Sequence, residues 1–381
     1  MTSRTLAIGL VPLVIALTAS GKSAAFPPSP PTEPTILTAG TLQPLPAMSI
    51  ARMAHTATRL TDGRVLVAGG FVGEESAARS AQMYAPRSRQ FSALPRMRMP
   101  RHSHTATLLP NGKVLLTGGY GAGNATTTSA ELYDPVSNTF TSTGSMRTAR
   151  AGHVASQLAN GKVLIAGGVG AGWSFLASAE IYDPATGAFT TSGDMTVARE
   201  SHVAVRLRDD RILIVGGHRD RRANMTIYAS SEVFDLKSGT FQRVGDMRMR
   251  RHKHDAVLLA DGRVLVTAGA DERESAGMYT SSELFDPRTN AFSDGPATKR
   301  PRYKHQGSSV LLPSGTVLIA GGDAQAESYD PQTRTFSLVP GDTSLGGLFS
   351  AVALAGDGTV VITGGYGRSS GPRASAWVYQ P

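Results

Sequence analysis

The sequence predicts an all-β protein, a seven-bladed β-propeller whose blades are four-stranded antiparallel sheets. The first observation is a repeated unit of about fifty residues, a length typical of propeller blades. The second is that each unit holds short apolar segments separated by turn residues, as β-strands do. One such sheet cannot bury both of its faces, so the units must stack around an axis. The Gly-Gly step of the units, once Ala-Gly, ends at positions 70, 119, 168, 217, 269, 322 and 365.

The third unit shows the four strands in order. The first strand begins at His153, alternates in polarity, and ends at Asn160-Gly161, a two-residue turn signal that requires positive φ. The second strand, Val163-Leu164-Ile165, is continuously apolar, as expected of a strand buried on both faces. The third strand carries Tyr182, and Phe189 opens the fourth. The whole chain repeats this order, so we expect seven equivalent blades.

These units resemble kelch repeats over roughly residues 37–381. The resemblance rests on an Arg-x-x-His start, such as Arg150 to His153, on the Gly-Gly step and on the third-strand aromatic Tyr182. Kelch repeats usually carry tyrosine and then tryptophan, whereas here Asp-Pro follows the tyrosine and Phe189 replaces the tryptophan. Propellers of the galactose oxidase type are similar, but their copper-radical chemistry needs a cysteine-linked tyrosine. The chain has no cysteine, so that activity is not expected.

The two ends of the repeat predict how the ring closes. The seventh unit has three strands and stops at residues 377–381. Residues 37–46 precede the first unit, and Leu42 takes the place that Phe140 has in a fourth strand. We therefore expect residues 37–46 to complete the last blade, which removes an unpaired sheet edge. The predicted propeller spans residues 37–381.

The N-terminal segment predicts export. Arg4 precedes an apolar run from Leu6 to Ala19 that is followed by small residues, the pattern of a secretory signal peptide. The run is too short to span a bilayer. We assign residues 1–25 to the signal peptide and the proline-rich residues 26–36 to an extended linker. The protein is thus expected to be secreted or periplasmic, without a transmembrane segment.

Because the strands of a blade run alternately up and down, successive connections lie on alternate faces of the ring. The loops between second and third strands share one face with the connections between blades, and this irregular face holds nearly all the non-repeated sequence. Rigid scaffolds place recognition on such loops, so we expect any binding site there, near the central opening. The formal net charge is +9, and three basic runs fall on this face, at 218–222, 248–253 and 299–304.

The basic runs and one loop tryptophan supply the candidate ligand-binding residues. A focused positive field concentrates anions, and an exposed aromatic ring suits stacking on a sugar. Two interpretations stay open, because the cations either are solvated and paired with neighbouring acids or recruit an acidic ligand. The candidates are Arg219, Arg221, Arg222, Arg250, Arg251, His252, Lys253, Arg300, Arg302, Lys304 and Trp173.

Residues copied in most units are expected to be structural, because a catalytic group is normally needed once. The Arg-x-x-His pair occurs six times, at Arg52/His55, Arg101/His104, Arg150/His153, Arg199/His202, Arg251/His254 and Arg302/His305, with Phe349 in the seventh histidine place. A third-strand glutamate recurs at Glu131, Glu180, Glu232, Glu283 and Glu327, and we expect it to pair with the copied arginine.

Two histidine pairs could suggest a metal. His102/His104 and His252/His254 have the period-two spacing that places side chains on one face of a strand, a spacing that metals use. No carboxylate is obviously shared with either pair, and the pairs lie in separate units. We therefore expect no metal and no cofactor, and assign no catalytic residue.

Three functions stay open. The first is a secreted binding module, expected to be a monomer, that recognises an acidic polysaccharide or a protein; no nucleic-acid motif is present. The second follows from a resemblance to sialic-acid mutarotases, which implies a metal-independent carbohydrate isomerase. That function would need a deep, acid-binding pocket with one non-repeated acid or histidine. The third is a structural protein of the cell envelope. We favour the first, in which the protein performs no chemistry.

Overall fold

The computed structural model describes residues 40–381 except 74–75, 222–223, 343, 346 and 368–370. The signal peptide and linker assigned from the sequence, and the candidate residue Arg222, lie outside the described residues. Seven four-stranded antiparallel sheets form a β-propeller, which confirms the predicted fold class. The first strand of every blade contacts the first strands of both neighbouring blades, so these seven inner strands close a ring around the axis. Within the described part of the chain, no helix is long and apolar enough to cross a membrane.

The first four blades follow the chain order, each from its inner to its outer strand. They comprise Thr56–Arg59, Val65–Ala68, Ala81–Ala85 and Gln90–Ala93; Thr105–Leu108, Val114–Thr117, Ala130–Asp134 and Thr139–Ser142; Val154–Gln157, Val163–Ala166, Ala179–Asp183 and Ala188–Thr191; and Val203–Arg206, Ile212–Val215, Ser231–Asp235 and Thr240–Arg243.

The remaining three blades include the one that joins both ends of the ring. They comprise Asp255–Leu258, Val264–Thr267, Ser282–Asp286 and Ala291–Asp294; Ser309–Leu311, Val317–Ile319, Glu327–Asp330 and Thr335–Leu338; and Ala351–Leu354, Val360–Thr363, Ala376–Gln380 and Thr41–Leu45. The loops of the irregular face add the short strands Phe71–Gly73, Ser76–Ala77, His218–Arg219 and Thr226–Ile227 and the 3-10 turns Ala122–Asn124, Ala171–Trp173 and Glu274–Ala276.

The second strands form the core between blades. Every residue of Val163–Ala166 is buried, which agrees with the continuously apolar sequence. Val163 and Ile165 pack in one cluster with Leu115 of the preceding blade and with Tyr182 of their own. Burial of this kind stabilises by roughly 25 cal/mol per Å² of apolar surface. The blades therefore depend on their neighbours for most of their core.

The ring closes as the sequence predicted. Thr41–Leu45 pairs antiparallel with Ala376–Gln380, and Leu42 lies opposite Tyr379. Gly365 of the last blade also donates its backbone N–H to the carbonyl of Arg52 in the first blade, at 2.9 Å. Both ends of the chain's repeat thus share one sheet, which leaves the last blade with no missing strand.

The copied arginines and glutamates hold each blade to its connection, as expected. Arg150 is fully buried and donates to the carbonyl oxygens of Gly167 and Ser178 and, at 3.0 Å, to the carboxylate of Glu180. Glu180 also accepts the backbone N–H groups of Arg147 and Thr148. The equivalent ion pairs are Arg101–Glu131, Arg199–Glu232, Arg251–Glu283 and Arg302–Glu327. A buried charge needs such a partner, so these residues serve the fold.

Candidate functional site

One residue in each blade lines the axial opening on the irregular face. In the first six blades it follows the copied arginine by two positions, and in all seven blades its φ lies between 50° and 61°. Backbone hydrogen bonds link neighbours around the opening: the N–H of Ser103 donates to Ala54 at 2.9 Å, and that of Phe349 donates to Lys304 at 2.8 Å. We call this set the mouth ring; it consists of Ala54, Ser103, Gly152, Ser201, Lys253, Lys304 and Phe349.

The mouth ring corrects two expectations from the sequence. Phe349 belongs to the mouth ring, and Ser350 takes the seventh histidine place, because Ser350 packs against Gly365 as His104 packs against Gly119. The left-handed residue between His102 and His104 also breaks the alternation of a strand. His104 lies inside, within 3.2 Å of the Thr56 hydroxyl, whereas His102 stacks on Tyr120. The two imidazoles therefore do not share one face.

The two halves of the mouth ring differ in size and charge. Blades one to four contribute Ala54, Ser103, Gly152 and Ser201, whereas blades five to seven contribute Lys253, Lys304 and Phe349. Gly152 has a structural reason to be glycine, since a Cβ there would lie 2.8 Å from the carboxylate of Glu200. The small half thus leaves room for the Glu200 side chain, which is 13% exposed.

A cavity of about 300 Å³, which we call the inner chamber, lies at this opening. It combines three cations with two carboxylates and several aromatic rings, whereas the repeated residues are mostly absent from it. Its lining is Tyr120, Trp173, Glu200, Ser201, His218, Arg221, Met225, Lys253, Glu274, Lys304 and Phe349.

Glu200 lies on one side of the inner chamber and is the acid that no other blade repeats. Its carboxylate accepts a hydrogen bond from Arg221 at 3.1 Å, and Oε2 lies 3.7 Å from Nε2 of His218. Burial raises the pKa of Glu200, although the Arg221 guanidinium opposes this shift. Burial likewise lowers the pKa of His218 to about 2, so its imidazole is neutral at pH 7.

A second imidazole lies beneath the first. Nδ1 of His252 lies 3.2 Å from Nδ1 of His218, and Nε2 of His252 lies 3.3 Å from the carbonyl oxygen of Asp271. A carbonyl only accepts, so Nε2 of His252 carries its proton and Nδ1 accepts from His218. In the neutral His218 ring, Nε2 is then unprotonated and faces Glu200. Glu200 and His218 together can hold and exchange a proton at this position.

The two mouth-ring lysines have different partners. Lys253 donates to the carboxylate of Glu274, and burial lowers the pKa of Lys253 while Glu274 opposes the shift. Lys304 donates to the hydroxyl of Tyr366 at 2.7 Å, and its ammonium lies 5.5 Å from the centre of the Phe349 ring. Burial lowers the pKa of Lys304, but the hydrogen bond to Tyr366, together with Tyr303 and Glu274, raises it, and the net shift is upward. Both ammonium groups are charged at neutral pH.

The wall of the inner chamber is shared with a second cavity, the outer chamber, of about 460 Å³. The Trp173 side chain is 55% exposed, and the Arg221 guanidinium lies over its ring at 4.0 Å from the centre. Such stacking is favourable for a cation on an aromatic face. Tyr120 lies next to Trp173, and the centres of the two rings are 5.9 Å apart. The lining of the outer chamber is Trp173, Arg221, Met225, Glu272 and Glu274.

The described candidate residues separate into four groups. Arg221, Lys253, Lys304 and Trp173 come together at the inner chamber. His252 is fully buried below it, in contact with His218. Arg251 and Arg302 are a correction, because both are fully buried and bonded to Glu283 and Glu327, so neither can reach a ligand. Arg219, Arg250 and Arg300 lie exposed outside the inner chamber.

Much of the positive charge on the irregular face is paired. Arg219 lies 3.4 Å from Asp220, and Arg250 forms an ion pair with Glu272 at 2.9 Å. Arg248 pairs with Asp294 at 2.7 Å. Exposed pairs of this kind contribute little to stability. The exposed cations outside the inner chamber are therefore solvated or paired with acids. The cations that could bind an acidic ligand are those of the inner chamber.

The axial channel below the mouth is a cavity of about 390 Å³ lined by the inner strands. Its lining is mostly small and repeated, such as Ala106 and Ala155. Asp255 is the exception, but its carboxylate accepts the backbone N–H groups of Gly307, Ser308 and Ser309 at 2.7–2.9 Å. Burial raises its pKa to about 6, with these donors opposing. Both carboxylate oxygens of Asp255 thus accept hydrogen bonds from the backbone of the sixth blade.

Glu200 and Glu274 are site residues that the sequence analysis missed. A signal for Glu200 was present: within Arg-x-x-His, the two unspecified positions vary freely between blades that otherwise copy each other. Comparing these two columns across the repeats would have identified Glu200 in the first and Lys253 in the second. Among the described residues, no group of three or more His, Cys, Asp or Glu side chains could hold a metal ion.

Comparison with known proteins agrees with this architecture. The Kelch motif matches residues 101–147 and 150–196, which confirms the resemblance to kelch-repeat propellers, and kelch repeats generally mediate protein interactions. No curated protein matches the sequence. A novel fungal alcohol oxidase with catalytic diversity among the AA5 family, solved in complex with copper, has a TM-score of 0.71 at 16% identity, covering 90% of this chain and 77% of that one. YjhT has a TM-score of 0.60 at 14% identity, covering 77% and 99%. At these identities the likeness shows the fold alone.

Proposed function

We propose that this kelch-motif propeller is a secreted or periplasmic binding module that captures an acidic glycan at its mouth. The observation that carries the proposal is the placement of Lys253 and Lys304 at neighbouring mouth-ring positions, beside the exposed Trp173. Two ammonium groups attract an anion, and an exposed indole offers a face for a sugar ring. Placing the protein outside the cytoplasm rests on the sequence of residues 1–25.

The chambers have the dimensions of a ligand site. The inner chamber of about 300 Å³ and the outer chamber of about 460 Å³ fall within the range of roughly 300–1,000 Å³ for small-molecule pockets. Their mixture of aromatic faces and few charged groups is typical of sites that fix one orientation. A sugar unit and its neighbour in a chain would fill the two volumes.

A glycan array with the purified protein tests the proposal. The variant Lys253→Met/Lys304→Met should lose selective binding of acidic glycans, because it removes both mouth ammonium groups. The matched control is Lys162→Met/Lys237→Met, which removes the same charge from the opposite face, where strand hairpins lie. The control should bind as the natural protein does. Equal binding of neutral and acidic glycans, or capture of a protein alone, would overturn the proposal; no ligand at all would favour a structural role in the cell envelope.

A second candidate function is metal-independent anomer exchange of an acidic sugar. Glu200 favours it, because this carboxyl group is not repeated, lines the inner chamber with its side chain only 13% exposed, and lies beside the neutral His218. Anomer exchange needs a proton removed from the anomeric hydroxyl and a proton delivered to the ring oxygen, and a carboxyl–imidazole pair can do both. Exchange measured by NMR with sialic acid should be faster with the protein and lost in Glu200→Gln. An unchanged rate with the natural protein would exclude this function.

A further inference from the structure

The loop of the fifth blade brings an acid into contact with the mouth ring. Glu274 opens the 3-10 turn Glu274–Ala276, and its carboxylate contacts the ammonium of Lys253. Among the described residues no other blade carries this pair. Blades one to four have no lysine at the mouth-ring position, Lys304 of the sixth blade donates to the hydroxyl of Tyr366, and the seventh blade has Phe349. The contact is therefore specific to the site.

Glu274 is held in an unfavourable backbone conformation. Its φ is +55°, in the left-handed region that a residue with a side chain rarely adopts. Strain of this kind persists where the surrounding structure enforces it, and it concentrates at ligand sites. The strained turn brings the carboxylate inward, to the one mouth lysine without an aromatic hydroxyl as its partner.

The geometry of the Lys253–Glu274 pair would allow a ligand to displace Glu274 from Lys253. The Lys253 side chain is 15% exposed and that of Glu274 is 32% exposed, so the acid lies on the solvent side. The wall residues Trp173 and Met225 line both chambers next to Glu274. A ligand entering from the outer chamber would meet the carboxylate of Glu274 before it meets the ammonium of Lys253.

Charge balance shows what could replace Glu274. Arg221, Lys253 and Lys304 face only Glu200 and Glu274 in the inner chamber. If Glu274 moves away, the chamber keeps an excess of cations that one further carboxylate on the ligand would reduce. The stacking face of Trp173 lies at the same wall, so the group that carries this carboxylate can be a sugar ring.

We infer that Glu274 is an intramolecular competitor for the anion position on Lys253, and that the natural ligand displaces it with a carboxylate carried by a sugar ring of the uronic-acid type. This inference rests on the proposed function and narrows it to a ligand class. The free protein thus holds its own carboxylate where the ligand's carboxylate binds.

Titration calorimetry with sodium glucuronate tests the inference on the full chain. Glu274→Gln removes the competing charge and should bind glucuronate about threefold to tenfold more tightly, the effect of breaking one partly exposed ion pair. Asp294→Asn is the matched control, because Asp294 forms an exposed ion pair with Arg248 and lines neither chamber. Its affinity should stay within about twofold of the natural protein. Lys253→Met should abolish binding in either background, and thermal unfolding checks that each variant is folded.

The outcomes separate this inference from the proposed function. If Glu274→Gln binds glucuronate no more tightly than Asp294→Asn does, Glu274 is not a competitor, although the protein can still be a glycan-binding module. If the natural protein selects acidic glycans on the array but no variant binds glucuronate, the carboxylated-sugar class is wrong. Absence of any acidic-glycan binding in both assays would overturn the inference together with the proposed function.

Discussion

Arg251 and Lys253 lie two residues apart in one segment, yet they belong to different parts of the molecule. Arg251 is fully buried and is bonded to Glu283, in an arrangement that four other blades copy. Lys253 lies on the mouth ring and contacts Glu274, in an arrangement that the described residues of the other blades do not show. The same short connection therefore carries a copied layer, which holds the blade, and a variable layer, which faces the axis. Substitutions in the two layers should have opposite consequences.

The largest expected effect is a loss of folding stability at acidic pH. Burial lowers the pKa of all nine histidines of the chain, in both layers. Near pH 6.5 the histidines of the unfolded chain become protonated, whereas those of the folded chain stay neutral. The stability is therefore complete above pH 6.5 and is lost as the pH falls toward the pKa values of the folded chain. These values are about 4 for His252 and about 3 for His305. Each histidine that stays neutral in the folded chain should lower the free energy of unfolding as the pH falls through this window. Urea unfolding at pH 7.5 and pH 5.0 measures the loss; equal stability at both values would contradict the buried, neutral histidines.

Breaking one pair of the copied layer should cost most among single substitutions. Glu180→Ala leaves the buried Arg150 guanidinium and the backbone N–H groups of Arg147 and Thr148 without their acceptor. We expect a loss of about 3–5 kcal/mol in the free energy of unfolding. Urea unfolding checks this value. A loss below about 1 kcal/mol would mean that the pair is not a structural element.

The first blade offers the reverse experiment. Gln82 stands where the other copied arginines find a glutamate, and burial lowers the pKa of Arg52 to about 10. Gln82 accepts only a long hydrogen bond, 3.3 Å from the backbone N of Ser49, whereas Glu131 accepts one of 2.7 Å from Arg98. Gln82→Glu should stabilise by about 1 kcal/mol, since the new carboxylate can accept from charged and backbone donors. A lower melting temperature of Gln82→Glu would show that the first blade cannot form the arginine–glutamate pair of the other blades.

The smallest effect on stability is expected in the mouth ring. Ser201 has a φ of 55°, close to the 52° of Lys253, so the backbone at this position suits a lysine. Ser201→Lys should change the free energy of unfolding by less than about 1 kcal/mol. It should also raise retention on a heparin column, because a third ammonium group joins the inner chamber. Retention no stronger than that of the natural protein would place anion binding elsewhere.

The repeat explains why so much of the fold was predictable. Seven copies fix the number of blades, and the partners Arg150 and Glu180 recur together, so their ion pair could be predicted without coordinates. The closing strand was predictable because Leu42 keeps the spacing of an outer strand. In each of these cases, the information lies in agreement between copies.

The site was less predictable, because it depends on residues that are not copied. The contact of Glu274 with Lys253 arises from the local path of a strained loop, which no periodicity encodes. The left-handed conformation at Ser103 also overrides the alternation that placed His102 and His104 on one face. Arg251 and Arg302 were assigned to a ligand by their charge, yet the copied layer buries both.

One paired measurement tests the separation of the two layers most directly. Arg302→Met and Lys304→Met each remove one cation from the same connection, and each variant is measured for urea unfolding and for salt-dependent retention on heparin. Arg302→Met should lose about 3–5 kcal/mol of stability, because Glu327 stays buried without its partner. Lys304→Met should remain within about 1 kcal/mol of the natural protein and elute at lower salt. If Lys304→Met unfolds as readily as Arg302→Met, or retains full binding to heparin, the division into a structural layer and a recognition layer is contradicted.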